Sequence, residues 1–205
     1  MEFIDLIKDF ISRYKLTHKQ IKVLDIGCAD LRDYSFYLIE NCEDYIGIDI
    51  NALDIQRAKF KTKDISKCKI YEMDVRNLKF LDKTFDLIVC NNVLAYTNQT
   101  EAINKIFDYL NTEGILVSFN NNTIQYSLYK IFHHTKPFLI EVVHSVVVII
   151  NTWFFKLTSI RLFHTVFNTR NSILKLLKSS NYKYFQVEID KLSFPYNVIN
   201  FYCIK

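Results

Sequence analysis

Three aspartates close successive apolar runs in the first third of the chain. Asp25 sits in Val23-Leu24-Asp25-Ile26-Gly27, Asp49 ends Tyr45-Ile46-Gly47-Ile48-Asp49, and Asp74 closes the run 69–74. An acid at the end of a parallel strand is placed to accept hydrogen bonds from vicinal hydroxyls such as those of a ribose. Gly27 lets the backbone approach a ligand and adopt dihedrals closed to other residues. A fourth polar position, Asn91, follows the apolar run Phe85–Cys90. Any one of these side chains could instead be a helix cap or turn residue. Three acids ending consecutive strands argue for one shared binding edge.

Such an edge needs strands that run parallel, with helices between them. The periodicity predicts a first helix within 1–18, where Ile4, Ile7, Phe10, Ile11 and Tyr14 recur at helical spacing. Strands follow at 21–26, 45–49, 69–74, 85–90 and 115–119, the last after a break at Gly114. Helices are expected at 32–41, 52–63 and 99–110 between them. This alternation means a parallel sheet wrapped by helices. Beyond Asn120 the rhythm stops and an insert, 124–167, is expected to be helical. It resumes with a helix at 170–178, capped by Thr169 or Asn168, and strands at 182–189 and 197–204. The 205 residues suit a single domain.

Within the insert, 138–155 is strongly apolar. Read as a helix, it places Glu141, His144, Ser145, Asn151, Thr152 and Lys156 on one stripe opposite a wide apolar face. That face could pack on the core as a lid, or contact a second copy or a membrane surface. A membrane-spanning reading is weakened by Glu141, His144 and Asn151. Net charge is +4, but residues 121–205 hold ten Lys/Arg against three Asp/Glu. A basic half reads first as a solvated basic face, with an anionic substrate or membrane surface as the alternative. No dense basic run with interleaved aromatics favours nucleic acid. Five cysteines without a C-x-x-C pair read as reduced thiols, and no spacing of ligands points to a metal. The absence of a basic, apolar leader at the N-terminus adds an expectation of a cytoplasmic protein, peripheral to the membrane at most.

The order of these signals resembles the class I S-adenosylmethionine-dependent methyltransferases over roughly 20–120 and 168–205. Val23–Cys28 looks like that family's first motif. Asp49, Met73-Asp74-Val75, Phe85–Leu94 and Leu110–Val117 look like the next four, in order. The resemblance implies a Rossmann-like α/β fold with seven strands in the order 3-2-1-4-5-7-6, the seventh antiparallel. It also implies S-adenosylmethionine as cofactor. Asp25 would orient the loop and receive the ammonium, directly or through water, while Gly27 and the backbone of Cys28 and Ala29 would face the methionine portion. Asp49 would take the ribose hydroxyls and Ile50 would pack on adenine. Asp74 and the Val75 N–H would read the base, and Asn91 would contact the methionine group. The family's first loop usually carries three glycines, whereas this chain has Ala29 and Leu31 at the second and third. Leu31 adds bulk near the cofactor and would weaken its binding, unless the loop follows a different path with Asp30 and Arg32 making new polar contacts.

No catalytic residue transfers from the family pattern, since Ala95-Tyr96 replaces the His pair of many relatives. The candidates are Tyr96 and the insert histidines His133, His134, His144 and His164. The implied reaction is methyl transfer to an O or N atom of a small or amphiphilic, lipid- or glycan-linked acceptor. The alternatives are a methyltransferase-like binding protein without activity, motivated by Ala29 and Leu31, and a dinucleotide oxidoreductase, disfavoured by the missing G-x-G-x-x-G.

Overall fold

The computed structural model describes residues 3–17, 20–79, 84–121, 138–158, 166–190 and 198–205. Five strands alternate with helices: β1 (Lys22–Ile26), β2 (Asp44–Asp49), β3 (Cys68–Glu72), β4 (Phe85–Asn91) and β5 (Leu110–Asn121). They pair in parallel, and a hairpin of β6 (Tyr184–Asp190) and β7 (Val198–Ile204) completes the sheet with β7 antiparallel to its neighbours. The order is β3-β2-β1-β4-β5-β7-β6, as the resemblance implies.

Strand residues alternate between two apolar layers, which is why the strands read as nearly continuous apolar runs. Val23, Tyr45, Leu87 and Val89 point toward α1 (Phe3–Thr17), α2 (Asp33–Asn41) and α3 (Ala52–Lys61). Leu24, Ile46, Ile88 and Cys90 point toward α4 (Gln99–Tyr109) and the helix over Arg170–Lys178. All seven residues of β4 are buried, which makes it the spine of the sheet. Helix entries are capped as their sequences dictate. Asn51 accepts from the Leu53 and Asp54 N–H groups, and Thr169 forms a capping box with Ser172.

Two boundaries differ from the sequence reading. Gly114 does not break the chain: β5 starts at Leu110, directly after α4, and runs through it. A bulge absorbs the misfit, with Glu113 at φ 64° and the β4–β5 register shifting between Phe85 and Leu87. A Cβ on Gly114 would lie 2.8 Å from the Asn111 carbonyl oxygen, so the bulge requires glycine. Strand β3 ends at Glu72, and Asp74 caps a short 3-10 turn, Val75–Asn77.

The apolar stretch of the insert forms α5 (Phe138–Thr158), and Arg170–Lys178 is therefore α6. Of the readings left open for the apolar face, the orientation of α5 speaks against packing on the core. Ser145, Asn151 and Thr152 are buried, whereas Leu139, Val143, Ile150, Trp153 and Leu157 are exposed. The reason is hydrogen bonding. The Thr152 hydroxyl donates to the Val148 carbonyl and accepts from the Phe167 N–H at 3.0 Å, so the polar stripe ties the helix to the chain that follows it. Among the described residues no helix is long and apolar enough to cross a membrane.

Candidate functional site

The carboxyl ends of β1, β2 and β4 and the turn after β3 border a cavity of about 460 Å³. This is where open α/β sheets place their ligands. Gly27 enters it at φ 78°, and a Cβ there would stand 2.5 Å from Val93 Cγ2 and 2.9 Å from the Asn91 carbonyl oxygen. The first loop and the loop after β4 therefore meet only because residue 27 has no side chain. The Gly27 and Cys28 N–H groups both donate to the Ile48 carbonyl, at 2.8 and 3.1 Å, stitching β1's exit to β2's.

Asp49 lines the cavity with its carboxylate fixed from two directions. Oδ2 accepts from the Ala29 N–H at 3.0 Å and Oδ1 from the Asn51 N–H at 2.9 Å. Each oxygen keeps a further lone pair, which is what a vicinal diol needs. Asp74 also lines the cavity. It accepts from the Arg76 N–H at 2.8 Å and pairs with the Arg76 guanidinium at 2.6 Å. Those hydrogen bonds hold its carboxyl below the usual range. Val75 and Ile50 flank it, buried and exposed respectively. Asn91 is buried at the end of β4, with Nδ2 donating to the Tyr34 hydroxyl at 3.5 Å.

Asp25 does not line the cavity. It is fully buried beneath the loop, accepting from Tyr45 Oη at 2.6 Å, Ser35 Oγ at 2.9 Å and Tyr34 Oη at 3.2 Å. A direct contact to a ligand ammonium is therefore corrected to a positioning role, reaching Asn91 through Tyr34. Burial raises its carboxyl to about 6, the three hydroxyls pull it back, and the charge of Asp49 adds to the rise. Cys28 is likewise buried and absent from the lining, its Sγ beside the space that Gly47 leaves open.

The substitutions in the first loop fall differently from the expectation. Ala29 lines the cavity at φ 48°, and Leu31 holds φ 68°. Leu31 turns into the core beside Leu38 and Ile39, so its bulk does not enter the site. The chain keeps a glycine-type loop path without two of the glycines, at the cost of left-handed backbone at two side-chain-bearing residues.

Of the catalytic candidates, Tyr96 lines the cavity and is half-exposed. His144 lies on α5, exposed and away from the lining. His133, His134 and His164 lie outside the described residues. The sequence reading passed over Asn51 and Asp54 as lining residues. Asn51 follows Asp49 and Ile50 and could have been read from that adjacency; Asp54 carries no such signal. Asn92 Oδ1 and Thr97 Oγ1 are buried polar atoms without a hydrogen-bond partner among the described residues. Among the described residues no cluster of His, Cys, Asp or Glu could hold a metal ion.

Asp49, Asp54, Asp74 and Arg32 line the cavity, Asp54 and Asp74 being paired with Arg57 and Arg76. Acids and a cation on one lining suit a ligand that carries hydroxyls or amines together with a carboxylate. A family model described as a methyltransferase domain matches residues 17–187. An uncharacterized protein of Methanocaldococcus jannaschii, MJ0638, is 33% identical over 129 residues, covering 60% of this chain. The chain's match spans about half of that relative, 52% of its length. The N-methyltransferase NodS of Bradyrhizobium japonicum, solved with S-adenosyl-L-homocysteine, superposes with a TM-score of 0.63 at 18% identity, over 99% of this chain and 87% of that one. An rRNA methylase of Streptococcus thermophilus gives 0.62 at 13% identity, over 100% and 97%. Magnesium protoporphyrin IX methyltransferase of Synechocystis gives 0.64 at 13%, over 98% and 83%.

Proposed function

This chain belongs to the class I S-adenosylmethionine-dependent methyltransferase family, and from that premise we propose that it transfers a methyl group from S-adenosylmethionine to an oxygen or nitrogen of a small or amphiphilic acceptor. The observation that carries the reading is the pair of carboxylates, Asp49 and Asp74, set at neighbouring strand exits on one cavity.

The lining fits the cofactor group by group. Asp49 would accept from the ribose hydroxyls and Ile50 would pack on adenine. Asp74 would accept from the adenine amino group and the Val75 N–H would donate to the ring. Gly27, Ala29 and Asn91 would border the methionine portion, and Arg32 would supply the cation for its carboxylate. When bound, S-adenosylmethionine supplies a methyl group activated by its sulfonium, with a neutral thioether as leaving group.

Because that leaving group is already activated, the chain's own task is mainly to align the acceptor and exclude water. Asn92, Tyr96 and Thr97 occupy the part of the lining after β4. Of these, Tyr96 is half-exposed and is the side chain there that an acceptor could meet, whereas Asn92 Oδ1 and Thr97 Oγ1 are closed off within the lining. A base is needed only if the acceptor loses a proton during attack. His144, on the outside of α5, is not placed for that step.

The test is a transfer assay with methyl-labelled S-adenosylmethionine on fractionated cell extract. Label should enter the small-molecule or organic-extractable fraction, and Asp49→Ala should abolish most of it. Label found only in RNA or protein, or none at all, would overturn the acceptor class.

A further inference from the structure

The exposed face of α5 has no role in the site described above. Leu139, Val143, Val146, Ile150, Trp153 and Leu157 are all exposed along it, and Ile140 broadens the stripe. A helix of 21 residues carries this face for about 32 Å. Ser145, Asn151 and Thr152 are turned inward, and Thr152 is anchored to Phe167. We propose that the outer face of α5 docks on the headgroup–acyl boundary of an anionic lipid bilayer.

One argument favours lipid over a second copy of the chain: the charge is wrong for self-association. The half of the chain that holds α5 carries ten basic against three acidic residues. In sequence, Lys136 and Arg161 bracket the helix, and Lys156 stands in its last turn. Two copies would bring like charges together, whereas an anionic surface meets a complementary one. An apolar helix face with a tryptophan and flanking cations is what an interfacial helix needs.

The docking has a consequence for the acceptor, and this part rests on the methyl-transfer reading. Val166 N–H donates to the Ala95 carbonyl at 2.9 Å and Phe167 N–H to Thr152 Oγ1, so α5 is joined through two consecutive residues to the loop that lines the cavity. An amphiphilic acceptor held in the bilayer would then have its polar end near the cavity mouth.

Trp153 is the chain's single tryptophan and is 58% exposed, so its emission reports on this face. The full chain is titrated with vesicles of phosphatidylcholine alone and of phosphatidylcholine mixed with phosphatidylglycerol, by emission and by co-sedimentation. The expected result is a blue shift and pelleting with the anionic vesicles, weakened by salt. The double variant Val143→Asp/Ile150→Asp should reduce binding by at least about tenfold, as should Leu139→Glu/Leu157→Glu at the helix ends, which serves if the first pair fails to fold. Absence of any shift or pelleting with anionic vesicles would overturn the proposal. So would a concentration-dependent dimer that these variants dissolve. S-adenosylmethionine calorimetry on the same samples separates the two readings: vesicle binding without cofactor binding would sink the enzyme assignment and leave the docking surface standing.

Discussion

Asp25 is the costliest residue at the site's base. Its carboxyl is fully buried and raised to about 6 against an ordinary 3.8. A carboxyl whose folded value is raised stabilises the fold below its unfolded value and loses that contribution as pH climbs through the folded one. Between about pH 4 and 6 this single group should therefore withdraw roughly 3 kcal/mol of stability as pH rises. In thermal melts across that window the wild type should fall relative to Asp25→Asn as pH rises. Parallel curves would show that the proton is not held there. Gly27 is constrained by space and by backbone together. Gly27→Ala should lose roughly 1–3 kcal/mol in denaturant unfolding, from the left-handed φ and the contact with Val93 and the Asn91 carbonyl. Ala29→Gly should go the other way. It relieves φ 48° at about 1 kcal/mol but frees the unfolded chain by nearly as much, so stability should hold or rise slightly. A loss as large as that of Gly27→Ala would mean that the methyl of Ala29 makes a contact the backbone argument ignores.

At the scale of elements, the strands and their acids were readable because a parallel strand is buried on both faces and leaves an unbroken apolar run. The run Phe85–Cys90 is the clearest case: its burial is complete and its end carries Asn91. What the periodicity could not give was which face of α5 points inward. A helical wheel separates a polar stripe from an apolar one, and hydrophobicity alone would bury the latter. The choice is made instead by hydrogen bonds from a distant backbone, the Phe167 N–H on Thr152, which no local pattern contains. Thr152→Val keeps the shape and removes that acceptor, leaving a buried N–H unpaired. It should cost roughly 1–3 kcal/mol and loosen α5 in hydrogen exchange. A change under a few tenths would mean the helix is held by other contacts. The missed bulge at Glu113 and Gly114 has a similar origin. Glycine after a helix reads as a stop, yet here it lets β5 pass close to the Asn111 and Phe85 carbonyls.

At the scale of the whole molecule, the fold followed from the order of elements, and the binding edge followed from the fold. The roles of individual residues did not follow so directly. Asp25 and Asp49 look alike in sequence, each within an apolar strand, but the first is buried under hydroxyls and the second opens on the cavity. Leu31 looked obstructive because its side-chain direction depends on a left-handed turn that the sequence marks only weakly. The claim on which the account rests is that the strand-end cavity binds S-adenosylmethionine through Asp49. Isothermal titration calorimetry of the full chain with S-adenosylmethionine, beside Asp49→Ala, tests it most directly. The account predicts one site in the wild type and a loss of roughly ten- to a hundredfold in affinity on removing hydrogen bonds to that carboxylate. No heat in the wild type, or equal affinity in the two proteins, would contradict it.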